Sequence, residues 1–144
     1  MHNIQRVLRR GSVLNTIPGA SVFEAAAEMA ERGIGAMAVV DGDRLVGIFS
    51  ERDLMTRVVV PRRDPDRVRV SEVMTREVIV AGLGDTRETA LSKMRRAGCR
   101  HLPVIHEGRV AGMLSMRDLL RDEIEEQGEE IRSLRAYLYQ QPLA

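Results

Sequence analysis

One stretch of eight residues recurs in altered form. Gly47-Ile48-Phe49-Ser50-Glu51-Arg52-Asp53-Leu54 returns as Gly112-Met113-Leu114-Ser115-Met116-Arg117-Asp118-Leu119, at a constant offset of 65 residues. Without a gap, the same offset pairs Ala25 with Ala90, Met29 with Met94, Gly33 with Gly98, Val39 with Val104 and Arg44 with Arg109. Duplicated units of this size bury too little apolar surface alone, so each half must complete the other's core. The duplication therefore predicts one module of two small repeats, with two related clefts where the halves meet.

Within the first repeat, a short strand over Val13–Ile17 is stopped by Pro18-Gly19. Ser21 stands three residues before Glu24, a capping-box spacing, and Val22, Ala25, Ala26 and Met29 follow at helical intervals. Gly33 ends that helix, since glycine tolerates the left-handed conformation past the last turn. Strands Ala36–Val40 and Arg44–Phe49 are joined by Asp41-Gly42-Asp43 as a tight hairpin. A second helix starts after Ser50 and is expected to carry Leu54, Met55 and Val58 inward. The unit reads β-α-β-β-α, and the chain as α+β.

Residues 59–70 carry Pro61, Pro65 and four arginines and read as a solvated, extended linker. Val70-Ser71-Glu72-Val73-Met74-Thr75 then leads into the second repeat. There the strand Val78–Ala81, the helix Thr86–Ala97, the hairpin Leu102–Leu114 and a helix from Met116 reproduce the first order. The organisation is thus repeat 1 over residues 7–60, a linker over 61–72, repeat 2 over 73–125 and a C-terminal helical extension over 126–144. In the tail, Leu120, Ile124, Gln127, Ile131, Leu134 and Leu138 fall at alternating three- and four-residue steps. The stripe is short, and Gly128 costs about 1 kcal/mol against alanine within it, which argues against a free-standing coiled coil. It either packs back on its own module or pairs with a second copy. Pairing is favoured, because a helix outside the repeat has no evident partner within it.

A net charge of +1 gives no electrostatic case for a nucleic-acid partner, and none is expected. Cys99 is alone, so it forms no intrachain disulfide and is expected to be a buried structural thiol. No apolar run approaches the ~20 residues that span a bilayer, and residues 1–15 lack a signal-peptide core, so the expected location is cytoplasmic, away from membranes. His2, His101 and His106 show no metal-binding spacing, and no glycine-rich phosphate loop or paired nucleophile is visible. A binding module is expected rather than an enzyme, with no metal and no catalytic cofactor. The aromatic share is 3%, so the core is aliphatic, with Met29, Met37, Met55, Met94 and Met113 as filler.

These residues resemble a tandem pair of CBS domains, the cystathionine-β-synthase-type modules. The resemblance covers roughly residues 7–125. It rests on Pro18-Gly19-Ala20-Ser21-Val22-Phe23-Glu24-Ala25, on Gly33-Ile34-Gly35-Ala36-Met37-Ala38-Val39-Val40 and on Leu45-Val46-Gly47-Ile48-Phe49-Ser50-Glu51-Arg52-Asp53. In the second half it rests on Val73-Met74-Thr75 and Arg100-His101-Leu102-Pro103-Val104. It implies a disc-like module with two repeats about a pseudo-twofold axis, prone to dimerise. Its clefts would bind adenosyl ligands such as AMP, ADP, ATP, NAD(H) or S-adenosylmethionine. The implied role is a sensor that passes a change of shape to a protein target the sequence does not name.

The chemistry of Ser50-x-x-Asp53 suits such a ligand. A helix N-terminus offers unpaired N–H groups and the positive dipole end to a phosphate. The Ser50 hydroxyl adds a donor, the Asp53 carboxylate can accept from both ribose hydroxyls, and Arg52 offers a charged fork. Ser115, Arg117 and Asp118 repeat all three roles. The same pattern is also nearly a capping box, worth ~1 kcal/mol as ordinary helix stabilisation. Two copies in one context, matching the family's ribose-binding signature, favour the ligand reading, and both roles are compatible.

The halves differ in their charges. Arg100 and His101 precede Leu102-Pro103-Val104, where the resemblance implies phosphate contacts, whereas the first repeat has Gly35 and Ala36. His101 reads equally well as a satisfied, half-buried histidine. Two unequal sites are expected, the second better equipped for phosphate. The resemblance places the adenine edge against the main chain of Met37-Ala38 and Leu102-Pro103, with Ile17 and Val80 closing over the ring. The alternative function is a structural dimerisation module without a physiological nucleotide.

Overall fold

The computed structural model describes residues 3–8 and 14–139. A short helix α1 (Gln5–Leu8) precedes the first half, which runs β1 (Asn15–Thr16), α2 (Val22–Arg32), β2 (Ala36–Asp41), β3 (Arg44–Ser50) and α3 (Glu51–Leu54). A connecting helix α4 (Val70–Val73) leads to β4 (Ala81–Gly82), α5 (Arg87–Ala97), β5 (His101–His106), β6 (Arg109–Ser115) and α6 (Met116–Tyr139). The expected α+β order holds. Each half carries a three-stranded sheet, in which the first strand runs parallel to the second and the second pairs antiparallel with the third. Even an irregularity is repeated: the register shifts between Val39 and Val40 and again between Val104 and Ile105.

Local chemistry accounts for the boundaries. Ser21 Oγ accepts from Glu24 N at 3.1 Å to start α2, and Thr86 does the same for α5 through Thr89 N. Gly33 and Gly98, at φ 63° and 66°, close those helices in the left-handed conformation that side chains resist. Two cores result. One gathers Val22, Met29, Met37, Val39, Phe49, Val58, Val70 and Val73, and the other Ile4, Ala90, Met94, Leu102, Val104, Leu114 and Leu119.

The membership of these cores reveals an exchange. Residues 69–74 lie at the opening of the second repeat but pack on the first, where Val70 N donates to Ala20 O at 2.9 Å. Ile4 precedes the first repeat but packs on the second, donating to Asp85 O at 3.1 Å. Isolated bridges Ser21–Arg69 and Asn3–Thr86 mark the same two junctions. A β-carbon on Gly47 would meet Met74 Sδ at 2.7 Å, and one on Gly112 would meet Leu8 Cδ2 at 2.6 Å. Each β-hairpin thus receives the other repeat's opening segment directly over a glycine, where a side chain would force Met74 or Leu8 to shift. Neither half is closed without the stretch of chain that introduces the other.

Several expectations need correction. The segment following residue 60 is not extended: Val68 and Val70 are buried, and the carbonyls of Pro65 and Val68 accept from Phe23 N and Val22 N. Those bonds satisfy orphan donors at the start of α2, which folds the segment onto the first half. Met55 does not point inward but is 55% exposed. Here α3 continues as a π-helical turn, Met55–Val59, whose wider winding shifts the phase so that Val58 takes the buried position. The strand expected over Val78–Ala81 is only Ala81–Gly82, the two residues that pair with β5, and the Val80 carbonyl accepts from Lys93 Nζ at 3.0 Å instead. In the first half β1 is likewise just Asn15–Thr16, and Val13 lies outside the described residues. The C-terminal helical extension is present as a continuation of the helix from Met116, α6 running unbroken over 24 residues and through Gly128. Residues 140–144 of the expected extension lie outside the described residues. Cys99 is half-buried.

Candidate functional site

The repeats meet where β2 and β3 of the first half pack against β6 of the second. Both copies of the Ser-x-x-Asp pattern stand at helix starts near this junction. In each, the main chain is fixed by the same bond: Glu51 N donates to Gly35 O at 2.9 Å, and Met116 N to Arg100 O at 2.8 Å. The two copies nevertheless present different chemistry.

In the first half the acid is consumed. Asp53 is 5% exposed. Its Oδ2 accepts from Ser50 N and Ser50 Oγ, both at 3.0 Å, while Ser50 Oγ accepts from Asp53 N at 3.2 Å. This is a complete capping box. Its other oxygen accepts from Thr75 Oγ1 at 3.1 Å and lies 3.8 Å from Arg57 Nε. Arg57 is itself held, donating to the carbonyls of Val73 and Met74 at 3.1 and 3.0 Å. Arg52, on the same turn, is exposed.

In the second half the acid faces out. Asp118 is exposed, and Ser115 Oγ accepts from Asp118 N at 3.0 Å. The cap uses the serine and leaves the carboxylate turned to solvent. Arg117 and Arg100 are exposed on neighbouring positions. His101 completes the group from the start of β5. A methyl carbon on Gly35 would lie 3.2 Å from His101 Cε1 and 3.2 Å from Glu51 Oε1, so ring, carboxylate and glycine converge between the repeats. Burial holds the His101 imidazole below its ordinary pKa, and Arg100 pushes the same way, against the pull of Glu51 and Asp118. The ring is thereby biased towards its neutral form relative to a free imidazole.

The remaining expected residues divide by burial. Met37, Ala38, Leu102 and Pro103 are buried strand residues, and Ala38 lies between β1 and β3. On β5 the pairing with β4 covers only Val104 and Ile105, which leaves the His101–Pro103 edge free of that strand. Ile17 is 58% exposed beside β1, and Val80 is half-buried with its carbonyl engaged by Lys93. Sequence reasoning missed Glu51, Arg57 and Thr75. A signal for Arg57 was present: the matched position 65 residues later is Asp122, an opposite charge. Asp122 cannot clamp an acid as Arg57 does, and instead it is buried against Arg87 at 3.2 Å. Among the described residues no helix is long and apolar enough to cross a membrane.

Comparison with known proteins agrees with this architecture. The sequence profile of the CBS domain matches residues 16–60 and 70–125. The CBS domain-containing protein CBSCBSPB3 of Arabidopsis thaliana is 36% identical over 118 residues, 81% of this chain. The chain spans only about a fifth of that relative's length, 21%. A solved CBS domain structure is 36% identical with a TM-score of 0.81, covering 86% of this chain and 99% of its own. The CBS domain pair of the protein MJ0100, solved with 5′-methylthioadenosine and S-adenosylmethionine, shares the fold at a TM-score of 0.73 and 24% identity, covering 83% of this chain and 98% of its own. The duplicated halves, their matched sheets and these likenesses together make the chain a member of the CBS domain family, with two CBS domains in tandem.

Proposed function

We propose that the chain is a regulatory module that binds an adenine nucleotide (AMP, ADP, ATP or NAD(H)) in the cleft between its repeats and signals through a change of shape. The observation that carries this reading is the contrast between matched acids. Asp118 presents a carboxylate beside His101, Arg100 and Arg117, whereas Asp53 is closed inside its own capping box. An open carboxylate suits a ribose diol, and the neighbouring cations suit phosphate. One nucleotide per chain follows, held mainly by Ser115, Arg117, Asp118, Arg100 and His101. Ser50 and Asp53 then act as a structural cap, with Arg52 in reserve at the cleft. That the similar pair of MJ0100 was solved with 5′-methylthioadenosine and S-adenosylmethionine lends support to the adenosyl part of such a ligand, not to its phosphates.

Ligand binding acts by favouring one arrangement of the two repeats, which requires differential affinity for the two arrangements. The exchanged opening segments give such a shift a path, because each half is closed by chain belonging to the other. No catalytic step is proposed. A thermal-shift screen against AMP, ADP, ATP, NAD, NADH and S-adenosylmethionine tests the reading. At a hundred times the dissociation constant a native-state ligand adds about 2.7 kcal/mol. A shift with a nucleotide that Asp118→Ala abolishes is expected. Silence across the panel overturns the reading and leaves an interaction module, for which the exposed apolar stripe of α6 is the specific support.

A further inference from the structure

Glu51 and His101 come from different repeats and press on one point. A β-carbon on Gly35 would lie 3.2 Å from Glu51 Oε1, 3.2 Å from His101 Cε1 and 3.3 Å from His101 Nε2. The matched positions hold neither group, since Ala36 corresponds to His101 and Met116 to Glu51 at the offset of 65 residues. Ala36 is buried, and Met116 packs on the second core. Acid and imidazole thus occur together, across the repeats and on one side of the junction only. Helix stabilisation accounts for an acid in the first turn of α3, but not for its position against the other repeat's histidine. Among the described residues no hydrogen bond or ion pair engages the Glu51 carboxylate.

The cleft that holds Asp118 has limited positive charge. Two first-turn N–H groups of α6 are already taken, Met116 N by Arg100 O at 2.8 Å and Asp118 N by Ser115 Oγ at 3.0 Å. A phosphate beside that turn is then held mainly by side chains, and Arg100 and Arg117 are the exposed cations of the group. Arg52 is the counterpart of Arg117 and stands at the other helix start. Two guanidinium groups match a single phosphate, which carries about −1.5 to −2 at neutral pH. Each further phosphate adds charge that these cations no longer offset, and it does so beside the Glu51 carboxylate. Like charges a few ångströms apart in a partly desolvated cleft repel strongly enough to decide between ligands.

We propose that Glu51 sets a charge limit on the ligand, so that the cleft accepts adenosine with one phosphate and disfavours its di- and triphosphates. Glu51 selects by repulsion, the unfavourable contact with the wrong ligand that specificity requires beside the favourable one with the right ligand. This inference rests on the nucleotide reading and narrows it.

Calorimetric titration of the full-length chain with AMP, ADP and ATP, without divalent cations, tests it beside Glu51→Gln and Glu51→Asp. Glu51 is exposed, so both variants are expected to keep the wild-type circular dichroism. The wild type is expected to bind AMP about tenfold more tightly than ATP, with ADP between them. Glu51→Gln narrows that ratio by roughly five- to tenfold, whereas Glu51→Asp, which keeps the charge, preserves most of it. A residue that only stabilised the helix would move the three affinities together and leave the ratio unchanged. A wild type that binds ATP as tightly as AMP, or a Glu51→Gln ratio equal to that of the wild type, overturns the charge limit. AMP binding that Asp118→Ala abolishes would in either case leave the nucleotide reading standing. No binding of any of the three overturns both.

Discussion

Asp53 and Asp118 occupy matched positions, yet removing each is expected to do opposite things. Asp53→Ala takes away the acceptor for Ser50 N, Ser50 Oγ and Thr75 Oγ1, and the charge opposite Arg57. The Ser50 cap on the residue 53 N–H remains, but the reciprocal half of the capping box is lost, and the donors left half-buried without a partner cost roughly 1–2 kcal/mol. That corresponds to a melting point lower by roughly 3–8 °C for a chain of this size. Asp118→Ala loses only an exposed acid in the first turn of a helix whose serine cap remains, about 0.5 kcal/mol. For nucleotide the order reverses. A ribose held by a carboxylate through two hydrogen bonds, each worth about 1.5 kcal/mol or more, loses roughly a hundredfold or more in affinity without Asp118. Asp53→Ala leaves affinity within a few-fold once the folded fraction is accounted for. Calorimetric melts and nucleotide titrations of the two variants read both quantities. The reasoning is refuted if Asp53→Ala melts like wild type while losing affinity, or if Asp118→Ala melts as low as Asp53→Ala.

Two further perturbations follow from the geometry. His101 has its pKa lowered in the folded chain by burial and Arg100, against Glu51 and Asp118, so the unfolded chain takes up the proton first as pH falls. Stability is then expected to decline below about pH 6.5, the ordinary imidazole value, and His101→Gln to flatten that decline. Melts of both chains across this range check it, and identical profiles would remove the buried ring from the account. The exchanged segments are tested by Ile4→Ala and Val70→Ala, each removing a fully buried side chain at a cost of about 3 kcal/mol. Hydrogen exchange should rise in the second half for Ile4→Ala and in the first half for Val70→Ala. The reverse assignment would contradict the exchange.

The repeat, its hairpins and its helix caps were legible because each rests on local chemistry. Ser21 with Glu24, and Gly33 at a helix end, need no knowledge of what packs on them. The partner of each opening segment was not legible. Ile4 to Leu8 and Val70 to Met74 match at a spacing of 66 residues, but a spacing does not say on which half a segment lies. The glycines that receive them, Gly47 and Gly112, sit in the repeated octapeptide without revealing that Met74 and Leu8 fill the space above them. The site divided in the same way. Two Ser-x-x-Asp copies identified both helix starts, whereas the closure of one depends on Arg57 and Thr75, which reach Asp53 only in the folded chain. Met55 went astray because a π-helical turn changes the phase of the inward face. Gly128 did not stop α6, since a penalty of about 1 kcal/mol is small beside a helix already anchored through Leu119 and Asp122.

The central claim is that one of two matched clefts binds an adenine nucleotide. Isothermal titration of the full-length chain with the nucleotide that gives the largest thermal shift measures it directly. The account predicts one nucleotide per chain, bound in a reaction that takes up protons below neutral pH as His101 becomes charged. Two equivalent sites per chain, or no heat with any adenine nucleotide, would contradict it.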